Sequence, residues 1–65
     1  MIRVNGKEQW LLKEMKAEEL LEQLGYEITR VALERNGEMV PQKRLSEITV
    51  KDGDVLEIVS FVGGG

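Results

Sequence analysis

The stretch KDGDVLEIVSFV, residues 51–62, decides the fold because it is the clearest strand in the chain. Asp52-Gly53 marks a turn, and the residues after it are rich in β-branched and apolar types. Alternation gives this strand two apolar faces. One face carries Leu56, Ile58 and Val62, and the other carries Val55, Val59 and Phe61. We expect the first face to pack against a helix and the second to lie on the open side of a sheet.

Two hairpins are predicted further toward the amino terminus. Asn5-Gly6 lies within IRVNGKEQW, residues 2–10, and Asn36-Gly37 lies within TRVALERNGEMVP, residues 29–41. Asn-Gly pairs adopt the positive φ values of tight hairpin turns. Pro41 cannot donate to a strand ladder, so the second hairpin should end at an edge strand.

A helix is predicted between the hairpins, over MKAEELLEQLG, residues 15–25. Its apolar residues recur at i, i+3, i+4 and i+7 and form one stripe: Ala17, Leu20, Leu21 and Leu24. Gly25 suits the left-handed position that ends helices. After the second hairpin, Leu45, Ile48 and Val50 should anchor an irregular or short helical connection.

The resulting order is strand, strand, helix, strand, strand, strand, which predicts an α+β fold with two layers. A chain of 65 residues makes one domain, near the lower size limit for independent folding. We expect residues 1–62 to form that domain and residues 63–65 to be a flexible glycine tail.

Composition excludes several function classes. The chain has no Cys and no His, so disulfides, thiolate chemistry and the commonest general base are missing. Its net charge is −3 and it has only three aromatic residues, which argues against nucleic-acid binding. It lacks a long apolar run, so we expect a cytoplasmic chain without membrane contact. No paired carboxylates or activated serine stand out, so we do not expect an enzyme.

One functional group remains, the α-carboxylate of Gly65. It is ionised at neutral pH and a poor acyl electrophile until ATP-dependent adenylation activates it. Gly63, Gly64 and Gly65 have no Cβ atoms, so they could thread a narrow channel. When extended, the chain from Phe61 to Gly65 would reach about 15 Å. The apolar residues nearby, Val55, Val59, Phe61 and Val62, are predicted to dock on a partner. A disordered chain end without a role is the alternative.

Three motifs together resemble the ThiS family of sulfur carriers: LLEQLG at 20–25, NGEMVP at 36–41 and DGDVLEIVSFVGGG at 52–65. The resemblance covers nearly the whole chain. It implies a ubiquitin-like β-grasp fold, in which a mixed sheet of about five strands carries one main helix on one face. This agrees with the order of elements deduced above.

The resemblance also implies a mechanism. A ThiF-type enzyme adenylates the terminal glycine with Mg-ATP, and a desulfurase system supplies sulfur from cysteine to form a thiocarboxylate. Thiazole synthase then uses that sulfur to build the thiazole ring of thiamin. Gly64 and Gly65 match the family's ending, with Gly65 reactive, while Gly63 is a spacer. The carrier would hold no cofactor of its own and would be monomeric when free.

Other functions are compatible with the same residues. The acceptor could be molybdopterin or tRNA rather than a thiazole precursor. The chain could also be a ubiquitin-like modifier joined to a target lysine, or an interaction domain with an inert tail.

Overall fold

The computed structural model of the chain describes residues 1–61. These residues form one main helix and seven strands, joined in part by two 3₁₀ helices at Ile28–Arg30 and Gln42–Arg44. The helix, α1, spans Ala17–Gln23. The strands are β1 (Ile2–Val4), β2 (Lys7–Gln9), β3 (Met15–Lys16), β4 (Val31–Arg35), β5 (Glu38–Val40), β6 (Thr49–Val50) and β7 (Val55–Ser60).

Five of the strands form a mixed sheet in the order β2-β1-β7-β4-β5. β7 is central, parallel to β1 and antiparallel to β4. Both Asn-Gly pairs turn as predicted, with φ of 50° and 83° at Asn5 and Gly6, and 52° and 87° at Asn36 and Gly37. The predicted α+β class and the five-stranded sheet are confirmed.

The helix buries the predicted stripe. Ala17, Leu20 and Leu21 are buried and Leu24 is partly buried. Gly25 ends the helix with a φ of 91°. The Tyr26 N–H donates to the Leu21 carbonyl and the Gly25 N–H to the Glu22 carbonyl, each at 3.0 Å. This pair of bonds is the Schellman motif, so the prediction at Gly25 is confirmed.

The predicted start of the helix at residue 15 is wrong by two residues. Met15–Lys16 is instead a short strand that pairs antiparallel with Thr49–Val50 and forms a second, two-stranded sheet. The first helical N–H groups have no side-chain cap. Ala17 donates to the Ile48 carbonyl at 2.8 Å and Glu18 to the Leu45 carbonyl at 2.9 Å. Carbonyl groups of a loop distant in sequence therefore accept the hydrogen bonds that a Ser or Asp side chain at the start of a helix usually accepts.

The core lies between the helix and one sheet face. Its members have apolar side chains with at most 8% exposure: Ile2, Val4, Ala17, Leu20, Leu21, Val31, Leu33, Val40, Leu45, Val50, Leu56 and Ile58. Of the predicted loop anchors, Leu45 and Val50 are fully buried and Ile48 packs against the core. Within residues 1–61, no helix is long and apolar enough to span a bilayer.

Asp54 connects two turns by hydrogen bonds. One is the turn at Asp52-Gly53, directly before β7, and the other is the β4–β5 turn at Asn36-Gly37. The Asp54 side chain is 12% exposed, and its carboxylate accepts hydrogen bonds from the Lys51 N–H at 2.9 Å and the Asn36 side-chain amide at 3.0 Å. The Asn36 amide oxygen in turn accepts from the Val55 N–H at 2.8 Å. Arg35 Nη1 lies 3.7 Å from the same carboxylate. This network holds the start of β7 against the β4–β5 turn.

We predict that Asp54→Ala lowers the free energy of unfolding by about 1–3 kcal/mol, because the Asn36 amide and the Lys51 N–H lose their acceptor. The matched control is Asp52→Ala. The Asp52 carboxylate pairs with the terminal amine of Met1, but its side chain is 80% exposed, so the loss should stay within about 0.5 kcal/mol. Urea denaturation followed by far-UV circular dichroism measures both. Equal losses would show that Asp54 is an ordinary turn residue.

Candidate functional site at the end of the last strand

The position of the chain end is set by β7, which the sheet secures on both sides. On the β1 side, the Ile58 N–H donates to the Asn5 side-chain oxygen at 2.6 Å, and the Asn5 amide donates to the Ile58 carbonyl at 3.2 Å. β1 ends at Val4, so this side chain extends the pairing beyond the strand. On the β4 side, the Phe61 N–H donates to the Arg30 carbonyl at 2.7 Å. Hydrogen bonds thus hold the chain as far as Phe61, two residues before the predicted tail begins at residue 63.

The predicted reactive residue Gly65 and the threading residues Gly63 and Gly64 lie outside the described residues, as does Val62. Their roles stay predictions from the sequence. The structure fixes where the chain leads into them, after Phe61.

Burial alternates as predicted from Val55 to Val59, whereas Ser60 at the end of β7 is exposed. Leu56 and Ile58 are 1% and 6% exposed and face the core, while Val55 and Val59 are 44% and 58% exposed. Phe61, just after the strand, is also 58% exposed. Three of the four side chains predicted to dock on a partner are therefore accessible to solvent. The fourth, Val62, lies outside the described residues.

Neighbouring strands add residues to this exposed face that the sequence analysis did not identify. Strand register places Ala32 opposite Val59, Glu34 opposite Glu57, and Met39 next to Glu34. Met39 is 61% exposed. Alternation around the Asn36-Gly37 turn could have indicated which residues point outward, but not which of them meet β7. The candidate docking surface thus spans β7, β4 and β5, and we call it the open face.

A shallow cavity of about 240 Å³ lies beside the root of the tail, between the end of the helix region and the start of β4. Its lining includes Tyr26, Arg30, Ser60 and Phe61. Within residues 1–61, no three or more His, Cys, Asp or Glu side chains group as a metal site would require.

The fold is that of a ubiquitin-like β-grasp protein. A mixed five-stranded sheet has β7 as its central strand, and one helix packs on the sheet face opposite the open face. The model of the ThiS family matches residues 2–65, and the chain belongs to that family.

Individual relatives agree with this assignment. The chain is 39% identical to the sulfur carrier protein ThiS of Bacillus subtilis (strain 168), and the match covers 100% of both chains. It is 47% identical over 62 residues to a thiazole synthase of Paramagnetospirillum magneticum, a match that covers 95% of this chain but only 19% of that protein. The crystal structure of the thiamine biosynthesis protein ThiS from Geobacter metallireducens superposes with a TM-score of 0.82 at 36% identity. That superposition covers 98% of this chain and 97% of the other.

Proposed function

We propose that this chain is a sulfur carrier, which donates sulfur from a thiocarboxylate at Gly65 to formation of the thiazole ring of thiamin. The observation that carries the proposal is the end-to-end match to the Bacillus subtilis sulfur carrier, since a carrier of this kind depends on its terminus. The thiazole synthase relative contains a region similar to this chain, which favours thiazole synthase as the consumer of the sulfur.

The chain acts in this scheme as a co-substrate rather than as an enzyme. A ThiF-type enzyme binds Mg-ATP, and the Gly65 carboxylate attacks the α-phosphate, forming an acyl-adenylate and releasing pyrophosphate. A desulfurase system draws sulfur from cysteine as a persulfide, whose terminal sulfur then displaces AMP and forms an acyl disulfide. A thiol reductant cleaves the S–S bond of that intermediate and leaves the thiocarboxylate. The chain supplies the carboxylate, and its partners supply ATP and sulfur. The absence of Cys agrees with a carrier that holds sulfur on its terminus.

The fold contributes position and access to this chemistry. β7 is held by hydrogen bonds up to Phe61, so the folded body can rest on the partner surface. Beyond Phe61, four residues extended at about 3.3–3.6 Å each can reach about 13–14 Å into an active site, slightly less than the distance of about 15 Å expected from the sequence. Glycine at three of the four positions leaves the terminal carbonyl unshielded by side chains.

We predict that chain isolated from its native cells includes a form in which sulfur replaces one terminal oxygen. Intact mass spectrometry detects that replacement. Oxidation of one of the three methionines adds nearly the same mass, so a second readout is needed. Because the chain has no Cys, a thiol-alkylating reagent should modify only the thiocarboxylate.

The control is chain produced in cells that lack the ThiF-type enzyme, which should not be alkylated. Fragment ions that place the label elsewhere than on the carboxyl-terminal glycine would contradict the proposal. Adducts between the terminus and lysine side chains, without thiocarboxylate, would favour a ubiquitin-like modifier instead.

A further inference from the structure

The centre of the open face carries two directly opposed glutamates. Glu34 on β4 and Glu57 on β7 are register partners. Both side chains point away from the core, because Leu33 and Ile58 point into it. Directly opposed residues of an antiparallel pair have Cβ atoms about 4.5–5.5 Å apart, and like charges at such positions destabilise the sheet.

The described residues do not compensate this repulsion. None of the ion pairs within residues 1–61 involves Glu34 or Glu57. Two arginines lie nearby. Arg35 is already engaged, since its Nη1 donates to the Thr49 carbonyl at 2.9 Å and lies 3.7 Å from the Asp54 carboxylate. Arg3 on β1 is exposed and is the register partner of Val55, but no ion pair within residues 1–61 joins it to either glutamate. Residues 62–65 are one valine and three glycines, which bring no cationic side chain. The pair therefore weakens the free fold without a compensating contact inside it.

Apolar side chains flank the pair on the same face. Val59 lies two residues along β7 from Glu57 and pairs with Ala32, while Met39 pairs with Glu34 from the β5 side. Val59 and Met39 are 58% and 61% exposed. A partner that covered these side chains would also exclude water from the two carboxylates. Inside such an interface, the charges would require an opposite charge to offset their desolvation.

We propose that the open face docks on a partner protein that places an arginine or lysine side chain, set within an apolar surface, against the Glu34–Glu57 pair. This inference rests on the proposed function, and the partner it commits to is the ThiF-type adenylating enzyme. The same strand that carries Glu57 leads through Phe61 to the tail, so an enzyme that holds the tail lies next to this face. Arginine fits well, because its planar guanidinium can donate to two carboxylates at once.

A second copy of the chain is a poorer occupant. The chain has a net charge of −3, and two open faces in contact would bring four carboxylates together. Charge complementarity thus favours a basic partner over self-association.

The test uses Glu34→Gln, Glu57→Gln and the double variant, with Glu22→Gln as control. Glu22 is exposed on the helix, away from the open face, and its substitution changes the net charge equally. Isothermal titration with the ThiF-type enzyme of the same organism should show about tenfold weaker binding for each single variant and more for the double variant. The control should bind within about twofold of the unaltered chain.

Two further readouts separate docking from a merely structural role. Denaturation midpoints of the three open-face variants should equal or exceed that of the unaltered chain, because the repulsion is removed. Added salt should weaken binding of the unaltered chain more than that of the double variant. Lower midpoints with parallel losses of affinity would overturn the proposal.

Unchanged affinity of the double variant for the ThiF-type enzyme would also overturn the docking proposal. The proposed function would still stand in that case if thiocarboxylate forms on the chain. Self-association of the double variant with unchanged enzyme binding would assign the face to a second copy. Failure of the proposed function is recognised separately, by the absence of thiocarboxylate on the unaltered chain from native cells.

Discussion

A histidine tag fused after Gly65 will reduce adenylation at least about a hundredfold while leaving the fold intact. The tag replaces the Gly65 carboxylate with a peptide bond, so the group that attacks ATP no longer exists at that position. The new carboxylate lies several residues further on, and displacement of a reacting group by even about 1 Å can cost a hundredfold in rate. Exchange of labelled pyrophosphate into ATP, catalysed by the ThiF-type enzyme, measures the adenylation step directly.

Two controls make this result specific to the terminus. The same tag fused before Met1 should leave adenylation nearly unchanged, because it disturbs only an exposed pair between the terminal amine and Asp52. Removal of the carboxyl-terminal tag by a protease that cuts directly after Gly65 should restore the rate. An acyl-adenylate formed on the uncleaved fusion would contradict the proposed mechanism.

Charge introduced on the two faces of the last strand will have opposite consequences. Leu56→Asp and Ile58→Asp should unfold the chain, since these side chains are 1% and 6% exposed in a small core. An unpaired buried carboxylate costs several kcal/mol, comparable to the total stability of about 5 kcal/mol expected at this size. Val59→Asp and Phe61→Asp should fold, because both positions are 58% exposed and a charge there stays hydrated.

The folded variants should nevertheless bind the ThiF-type enzyme less well, because buried aromatic and aliphatic anchors often contribute about 2 kcal/mol or more. Far-UV circular dichroism is the suitable measure of folding, since the only tryptophan, Trp10, is already 76% exposed and would report little by fluorescence. If Phe61→Asp unfolds as readily as Leu56→Asp, the outward assignment of Phe61 is wrong. If it folds and is adenylated at the normal rate, the open face is not the docking surface.

Much of the fold could be predicted because its signals are local. Asn-Gly turns need positive φ values at consecutive residues, and few other residue pairs accept them. The helix stripe and Gly25 mark one buried face and one end, and alternation in residues 55–58 indicates which side chains are inside. Each of these signals acts within a few residues of the chain, so one sequence was sufficient to read them.

The predictions from the sequence were wrong or incomplete where the structure depends on contacts between segments that are distant along the chain. The helix begins at Ala17 because carbonyls of Leu45 and Ile48 accept its first N–H groups, and no neighbouring residue indicates this. Asp52 and Asp54 look equivalent in the sequence, yet one is exposed and the other accepts hydrogen bonds in the turn network. Their difference arises from the Asn36 side chain, eighteen residues away from Asp54.

The candidate site divides in the same way. The sequence by itself placed three consecutive glycines at positions 63–65, and with them the prediction that the Gly65 carboxylate reacts, because composition and the absence of side chains are read without any tertiary contact. It also determined which residues of β7 face outward, since strand geometry alternates with a period of two. Only the tertiary structure decided that Glu34 meets Glu57 and that Met39 and Ala32 join the same face. Those contacts depend on strand order and register, which are set by packing of the whole core rather than by any local pattern.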